Sequence, residues 1–375
     1  MEFRDLKQQY QLHKAKIDSA IQQVLDDTNF ISGKQVKELE KKLAEYVGVK
    51  HCITCANGTD ALQLALMTWD IGPGDAVFVP DFTFFSSGEV VSLVGATPVF
   101  VAIEKDTYNM SPQCLEGAIE QVIHETDLTP KAVVAVDLFG QPADYFAIRE
   151  ITNKYQMYLL EDGAQGFGGS IGQKKACSFG DISTTSFFPA KPLGCYGDGG
   201  AIFTDNDEWD KLLRSLCVHG KGTDKYDNIR IGMNSRLDTV QAAIVAQKLD
   251  FFDWEVEQCN MVASEYTKRL KDIVVTPKIA EEMCSSWAQY TIRLQSEEKR
   301  DALIEALKEN GIPSAVYYKR PMHQQKAFEE KCIMSKSCVE TESLCTTCLS
   351  LPMHAYLKME ELERICKVIK DFLQK

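Results

Sequence analysis

Apolar residues fall at helical spacing from residue 32 onward, where Val36, Leu39, Leu43, Tyr46 and Val47 share one face. Ser32 and Gln35 fit a capping box, which predicts a helix starting at Ser32, and Gly48 supplies its stop. Beyond Gly48 the pattern shifts to short apolar runs, HCITCA, AVFVP, TPVFV, AVVAV and MYLLE, separated by helix-length segments. Such runs suit strands buried on both faces, and their alternation with helices predicts a mainly parallel sheet covered by helices. Over residues 237–270 the strands stop, and one long helical stretch is expected to connect two domains. After it AQYTIRL and SAVYY read as strands, and residues 296–310 and 359–374 as helices, making a small α+β unit. The expected organisation is an α/β protein. Its large domain covers residues 1–250, with an N-terminal helical arm, and residues 251–375 form the connector helix and a small α+β domain.

Length supports that division, since 375 residues exceed what one core usually holds. A composition of 45% apolar and 25% charged residues is that of an ordinary globular protein. The net charge of −13, with no block rich in Lys or Arg, argues against a nucleic-acid partner. The opening MEFRDLKQQYQLHKAK has no apolar core of a signal sequence, and no later run approaches bilayer length, so a cytoplasmic protein without a membrane partner is expected. The 13 cysteines, many in strand-like contexts such as HCITCA, read as small core residues kept reduced. Cys345 and Cys348 form a C-x-x-C with Cys332 and Cys338 upstream, the beginnings of a zinc site. No second tight pair completes it, and CTTCLSLPMH reads as a buried strand, so no metal is expected.

The chemistry concentrates in SFFPAKPLGCYGDGGAIFT, residues 186–204, which holds Lys191 between Pro189 and Pro192. Two prolines fix the backbone around a lysine whose desolvated amine would be neutral enough to attack a carbonyl. Asp162 closes the run MYLLED at the carboxyl edge of the predicted sheet, where open α/β sheets place their ligands. An aspartate there is commonly a helix cap, but GAQGFGG is too rich in glycine to open a good helix. A lysine imine on one side and a carboxylate for a pyridinium nitrogen on the other is how proteins hold pyridoxal phosphate. In CANGTDALQLAL a strand, a glycine turn and a helix beginning near Thr59 would aim backbone N–H groups at a phosphate, although a plain turn with Thr59 as cap explains the same letters. In VPDFTFFSSGEVV either Phe84 or Phe85 could stack on a flat ring. The glycine clusters GFGGSIG and GCYGDGG do not open helices after strands, so they do not make a dinucleotide loop. His219, a lone histidine in CVHGKG, is read as structural.

NGTDAL, PDFTFFSS, EDGAQGFGG, SFFPAKPLGCYGDGGAIFT, HGKGTDKYDNIRIGMNSRLDTVQAAI and LSLPMH, taken in order over nearly the whole chain, resemble the DegT/DnrJ/EryC1/StrS family of sugar aminotransferases. The resemblance implies fold type I of the pyridoxal phosphate-dependent transferases, with a mixed, mostly parallel seven-stranded sheet. It implies that Lys191 condenses with the cofactor aldehyde and carries protons, that Asp162 pairs with the pyridine nitrogen, and that Gln165 touches the ring or its 3-hydroxyl. Gly58, Thr59 and Ser186 would hold the phosphate and Phe84 would stack on the ring. Asn234 matches an asparagine that reaches the neighbouring subunit's phosphate, which implies a homodimer with shared sites. Arg236 matches a position for the anionic end of the substrate, although an arginine there serves a surface ion pair equally well. Tyr317 and Tyr318 stand where the family often has His-Tyr, followed by Lys319 and Arg320 in place of an apolar pair. The wording around Lys191 and IGMNSRLDTVQAAI most resembles enzymes that move an amino group from L-glutamate to C3 of a UDP-linked 3-keto-2-acetamido glucuronic acid. C4 amination of another dTDP- or UDP-linked keto-sugar, and a pyridoxal phosphate-binding protein without turnover, are the alternatives. Dehydratases on this fold replace the lysine with histidine, which Lys191 does not match.

Overall fold

The computed structural model describes residues 1–224, 226–335 and 339–374. Seven strands form the body of the main sheet: β1 (His51–Cys55), β2 (Asp75–Pro80), β3 (Thr97–Val101), β4 (Thr129–Val136), β5 (Tyr158–Asp162), β6 (Ile182–Ser186) and β7 (Gly200–Thr204). Three more come from the C-terminal third, β8 (Tyr290–Arg293), β9 (Ile333–Met334) and β10 (Cys348–Leu351). The expected seven-stranded sheet in fact has eight, in the order β1-β7-β6-β5-β4-β2-β3-β9. Short β9 pairs in parallel with β3 and covers an edge that would otherwise present unpaired backbone groups. Only β7 runs against its neighbours.

The runs Ala76–Val79 in β2 and Ala132–Val136 in β4 are fully or almost fully buried, because helices cover both faces of the sheet. Along β5 the two-residue period sends Leu159 and Glu161 to one face and Leu160 and Asp162 to the other. A separate core around Tyr266, Tyr290, Leu303, Leu349 and Ile365 joins β8 and β10 to the helices Phe252–Leu270, Glu297–Glu309 and Met359–Leu373. The last two helices lie where the apolar periodicity predicts them.

Helices α1 (Leu6–Asp27) and α2 (Lys34–Val47) precede the sheet. The predicted capping box at Ser32 does not form: Ser32 has φ 55°, and α2 begins at Lys34 after Gly33. Docking decides this, because the Gly33 N–H donates to Thr239 Oγ1 at 3.1 Å and a Cβ at Gly33 would lie 2.6 Å from the Thr239 methyl. Gly48 ends the helix as predicted, with φ 85° and its N–H on the Ala44 carbonyl. The stretch over residues 237–270 is two helices, Thr239–Leu249 and Phe252–Leu270, rather than one. At the break Phe251 stacks on His13 of α1 with centroids 3.3 Å apart, and Phe252 packs on Phe167 at 5.6 Å. SAVYY forms no strand. Only Ala315 bridges to Ser350, and Tyr317 and Tyr318 leave for the carboxyl edge of the main sheet.

Cys345 ends up on the helix Val339–Thr347 and Cys348 opens β10, so CTTCLSLPMH is half helix and half strand. Cys338 lies outside the described residues. Among the described residues no group of three or more His, Cys, Asp or Glu side chains is placed to hold a metal, and every described cysteine is a free thiol. Among them too, no helix is long and apolar enough to cross a membrane.

Candidate active site

The loops that leave β1, β2, β5 and β6 at their carboxyl ends open into one cavity of about 930 Å³, closed on the far side by Tyr317 and Tyr318. Helix α3 (Gly58–Thr68) follows β1, and its cap is Asn57, whose side chain accepts from the Asp60 N–H at 2.8 Å. Thr59 is therefore not the cap. The N–H groups of Gly58 and Thr59 have no partner among the described residues and sit at the positive end of the helix dipole, facing the cavity. Thr59 Oγ1 lies 2.8 Å from Ser86 Oγ, and Ser186 Oγ accepts from the Phe188 N–H at 3.2 Å. A Cβ on Gly58 would stand 2.7 Å from Ser186 Cβ, so only glycine lets the β1 and β6 loops close into one cradle.

Lys191 sits on the β6 loop, where its N–H returns to the Phe188 carbonyl at 2.8 Å and the flanking prolines fix the chain. Its side chain lines the cavity and its Nζ has no hydrogen-bond partner among the described residues. Burial pulls its amine below the ordinary lysine range, opposed by the charge of Asp162 and aided by that of Arg4. Arg4 reaches this loop directly, donating from Nη2 to the Pro192 carbonyl at 3.3 Å. Asp162 is 5% exposed, caps no helix, and takes a hydrogen bond from Ser87 Oγ at 2.7 Å and one from the Ala164 N–H at 3.2 Å. Burial raises its pKa above the ordinary carboxylate value, while Ser87 and Lys191 work in the opposite direction.

Gln165 accepts from the Phe139 N–H at 2.8 Å and donates to the Tyr318 hydroxyl at 3.1 Å, which ties the β5 loop to the far wall. Both Phe84 and Phe85 line the cavity; Phe84 is 54% exposed there, whereas Phe85 packs on Phe328 with centroids 5.1 Å apart. Of the predicted site residues, Gly58, Thr59, Phe84, Asp162, Gln165, Ser186, Lys191, Tyr317 and Tyr318 line this cavity. Asn234 and Arg236 do not; Asn234 is exposed, and Arg236 forms no ion pair among the described residues. His219 borders a separate surface groove.

Ser86, which lines the cavity, and Ser87, bonded to Asp162, were not expected there, although a serine pair at the start of helix α4 (Ser86–Leu93), just past a strand end, marked the place. Two buried acids were also missed. Glu161, on the opposite face of β5, takes the N–H groups of Phe179 at 2.7 Å and Gly180 at 3.2 Å, and that of Cys177. Asp137 accepts from the Tyr145 hydroxyl at 2.6 Å and the Ala143 N–H at 3.1 Å. A Cβ at Gly166 would overlap the carboxylate of Asp137, which has nowhere to go. Gly166→Ala is expected to cost about 3 kcal/mol in stability, read as a lower denaturant midpoint with an unchanged slope.

An amine and a carboxylate set across one cavity from an N–H cradle, on a sheet of this order, define a pyridoxal phosphate-dependent transferase of fold type I. The donor set fits the cofactor: the cradle suits a phosphate, the buried carboxylate suits a protonated ring nitrogen, and the amine suits an aldehyde. A profile of the DegT/DnrJ/EryC1/StrS aminotransferase family matches residues 11–370, and the chain belongs to that family. The UDP-2-acetamido-2-deoxy-3-oxo-D-glucuronate aminotransferase of Pseudomonas aeruginosa is 45% identical over 99% of this chain and 100% of its own. The crystal structure of a DegT/DnrJ/EryC1/StrS aminotransferase from Brucella abortus superposes with a TM-score of 0.98, at 47% identity and full coverage of both chains (100% each). NtdA from Bacillus subtilis, solved with bound cofactor PMP, gives a TM-score of 0.87 at 27% identity, covering 97% of this chain and 82% of its own.

Proposed function

We propose that this aminotransferase moves an amino group from L-glutamate to C3 of UDP-2-acetamido-2-deoxy-3-keto-glucuronic acid, in the cytoplasm, for cell-surface polysaccharide of the O-antigen type. The observation that carries the transferase chemistry is the unpartnered Lys191 amine sharing one cavity with the buried carboxylate of Asp162. The choice of sugar is supported by the Pseudomonas relative named for it.

When bound, pyridoxal phosphate supplies the electron sink that makes the carbon bearing the amine acidic. The chain's residues supply the rest. Gly58 and Thr59 N–H groups and the hydroxyls of Thr59 and Ser186 hold the phosphate. Phe84 covers one ring face, Gln165 orients the ring, and Asp162 holds the proton on the ring nitrogen. Lys191 Nζ takes a proton from the donor carbon in the glutamate half-reaction and returns one to the sugar carbon in the second half. Tyr317 and Tyr318 line the side that the sugar enters, and Arg236 meets the anionic end of the substrate.

The active unit in this reading is a homodimer with shared sites, in which Asn234 of each chain completes the phosphate cradle of its partner. Its supports are that Asn234 is exposed and does not line the cavity of its own chain, and that Ile229 and Ile231, a few residues before it, are 56% and 87% exposed. The division into units over residues 1–250 and 251–375 is supported by the separate core around Tyr266 and Tyr290.

The test supplies 15N-labelled glutamate with a panel of UDP- and dTDP-linked 3-keto and 4-keto sugars. Label is expected in the 3-keto glucuronic acid product, with 2-oxoglutarate released in equal amount. Label appearing only in a 4-keto sugar would replace this substrate, and no label in any sugar would remove the transamination reading itself.

A further inference from the structure

Asp81 follows β2 directly, is fully buried, and begins the loop that carries Phe84 into the cavity and leads into Ser86 and Ser87 at the start of α4. Its carboxylate is gripped by one residue from the far wall. The His323 N–H donates to Asp81 Oδ1 at 2.9 Å, and His323 Nδ1 lies 2.7 Å from Asp81 Oδ2. One residue earlier the Met322 N–H donates to the Asp81 carbonyl at 2.8 Å. On its other side His323 Nε2 lies 3.3 Å from Glu342 Oε1, which also accepts from Gln324 Nε2 at 3.0 Å. Met322 and Gln325 flank this grip and line the cavity, as do Tyr317 and Tyr318 a few residues before.

A neutral imidazole donates from one nitrogen only, whereas here each ring nitrogen faces a carboxylate. The arrangement therefore suits the doubly protonated ring. We propose that His323 is a positioning residue, an imidazolium clasp between Asp81 and Glu342 that locks the wall carrying Tyr317 and Tyr318 to the β2 loop carrying Phe84 and Ser87. Through Ser87 the clasp bears on Asp162, and through Tyr318 on Gln165, so both sides of the cofactor seat depend on it.

The groups facing His323 are Asp81 from the β2 loop and Glu342 from the helix Val339–Thr347, with the thiols of Cys332 and Cys345 close to the same carboxylates. The hydrogen bond to Asp81 raises the histidine pKa above its ordinary value, against burial and with help from Glu342. A raised folded-state pKa means that the clasp's contribution is complete below the ordinary histidine value of 6.5 and fades as pH rises through the folded value.

The cofactor assignment enters only through what the clasp positions, so its test uses ligand-free full-length protein. Hydrogen–deuterium exchange, corrected for intrinsic rates, compares wild type with His323→Gln at pH 6.5 and pH 9. At pH 6.5 the variant is expected to exchange at least about fivefold faster in residues 82–88 and 317–325 together, with the core of β4 and β5 unchanged, and the difference should shrink at pH 9. Faster exchange in only one segment, no change, or a difference independent of pH overturns the proposal. Glu342→Gln, at a half-exposed position, keeps the Asp81 contact while removing the outer charge. It should move the pH at which protection is lost downward, and an unmoved midpoint is equally fatal, which covers a His323 variant that fails to fold. Pyridoxal phosphate affinity is then measured on the same samples. A clasp confirmed by exchange with no effect on cofactor binding would count against the cofactor seat and leave the clasp standing.

Discussion

Lys191→Ala is expected to lower turnover by about 10⁴-fold or more while the protein stays folded. The side chain points into a cavity and has no hydrogen bond among the described residues, so its removal breaks none. Its loop is held independently, by the Phe188 carbonyl, the flanking prolines and Arg4 on the Pro192 carbonyl. Two described neighbours in the cavity are poorly suited to replace its amine. The Tyr318 phenol is engaged by Gln165 and pushed up by burial, and Asp162 is committed to Ser87 and the Ala164 N–H. Release of 2-oxoglutarate from glutamate measures the loss, and circular dichroism with a thermal melt shows that the fold is kept. Borohydride reduction of the wild type with cofactor should fix the label on the peptide containing Lys191, with none in the variant. Turnover above a few percent of wild type in a folded variant would assign the proton transfer elsewhere.

The second large effect belongs to Asp162→Asn, expected to reduce turnover by roughly 10³-fold, with a smaller loss of cofactor affinity. Asparagine keeps the size and can still meet Ser87, so the change isolates the negative charge proposed to hold a proton on the ring nitrogen. Ser87→Ala probes the same charge from behind. Ser87 lowers the Asp162 pKa against the effect of burial, so without it the carboxylate takes up a proton at higher pH. The acid limb of the pH–kcat profile should then move upward in Ser87→Ala. A full-rate Asp162→Asn enzyme, or an unmoved acid limb in Ser87→Ala, would contradict the role given to this carboxylate.

Part of the cavity lining was legible because some of its residues sit where short-range rules are strong. Lys191 stood out between two prolines and Asp162 at the end of a strand running into glycines, whereas the letters around Gly58 read as well as a plain turn, and Gln165 and Tyr318 came only through the family resemblance. The parallel sheet was legible for the same reason, since strands buried on both faces read as unbroken apolar runs. What escaped was set by distant partners. Gly33 displaced Ser32 as the start of α2 because Thr239, far along the chain, takes its N–H. The break at Phe251 answers to His13, and β9 exists only because β3 offers it an edge. Ser87 and Asp137 look ordinary in sequence and gain meaning only when folding brings them under Asp162 and Gly166.

The seat between Gly58 and Tyr318 draws on five separate loops, and no contiguous stretch of chain contains more than part of it. Its assembly waits on the long-range pairings of the whole sheet, so the yellow tint of a purified batch would gauge global tertiary integrity rather than one local region. Fragments and misfolded material would come off a column bleached.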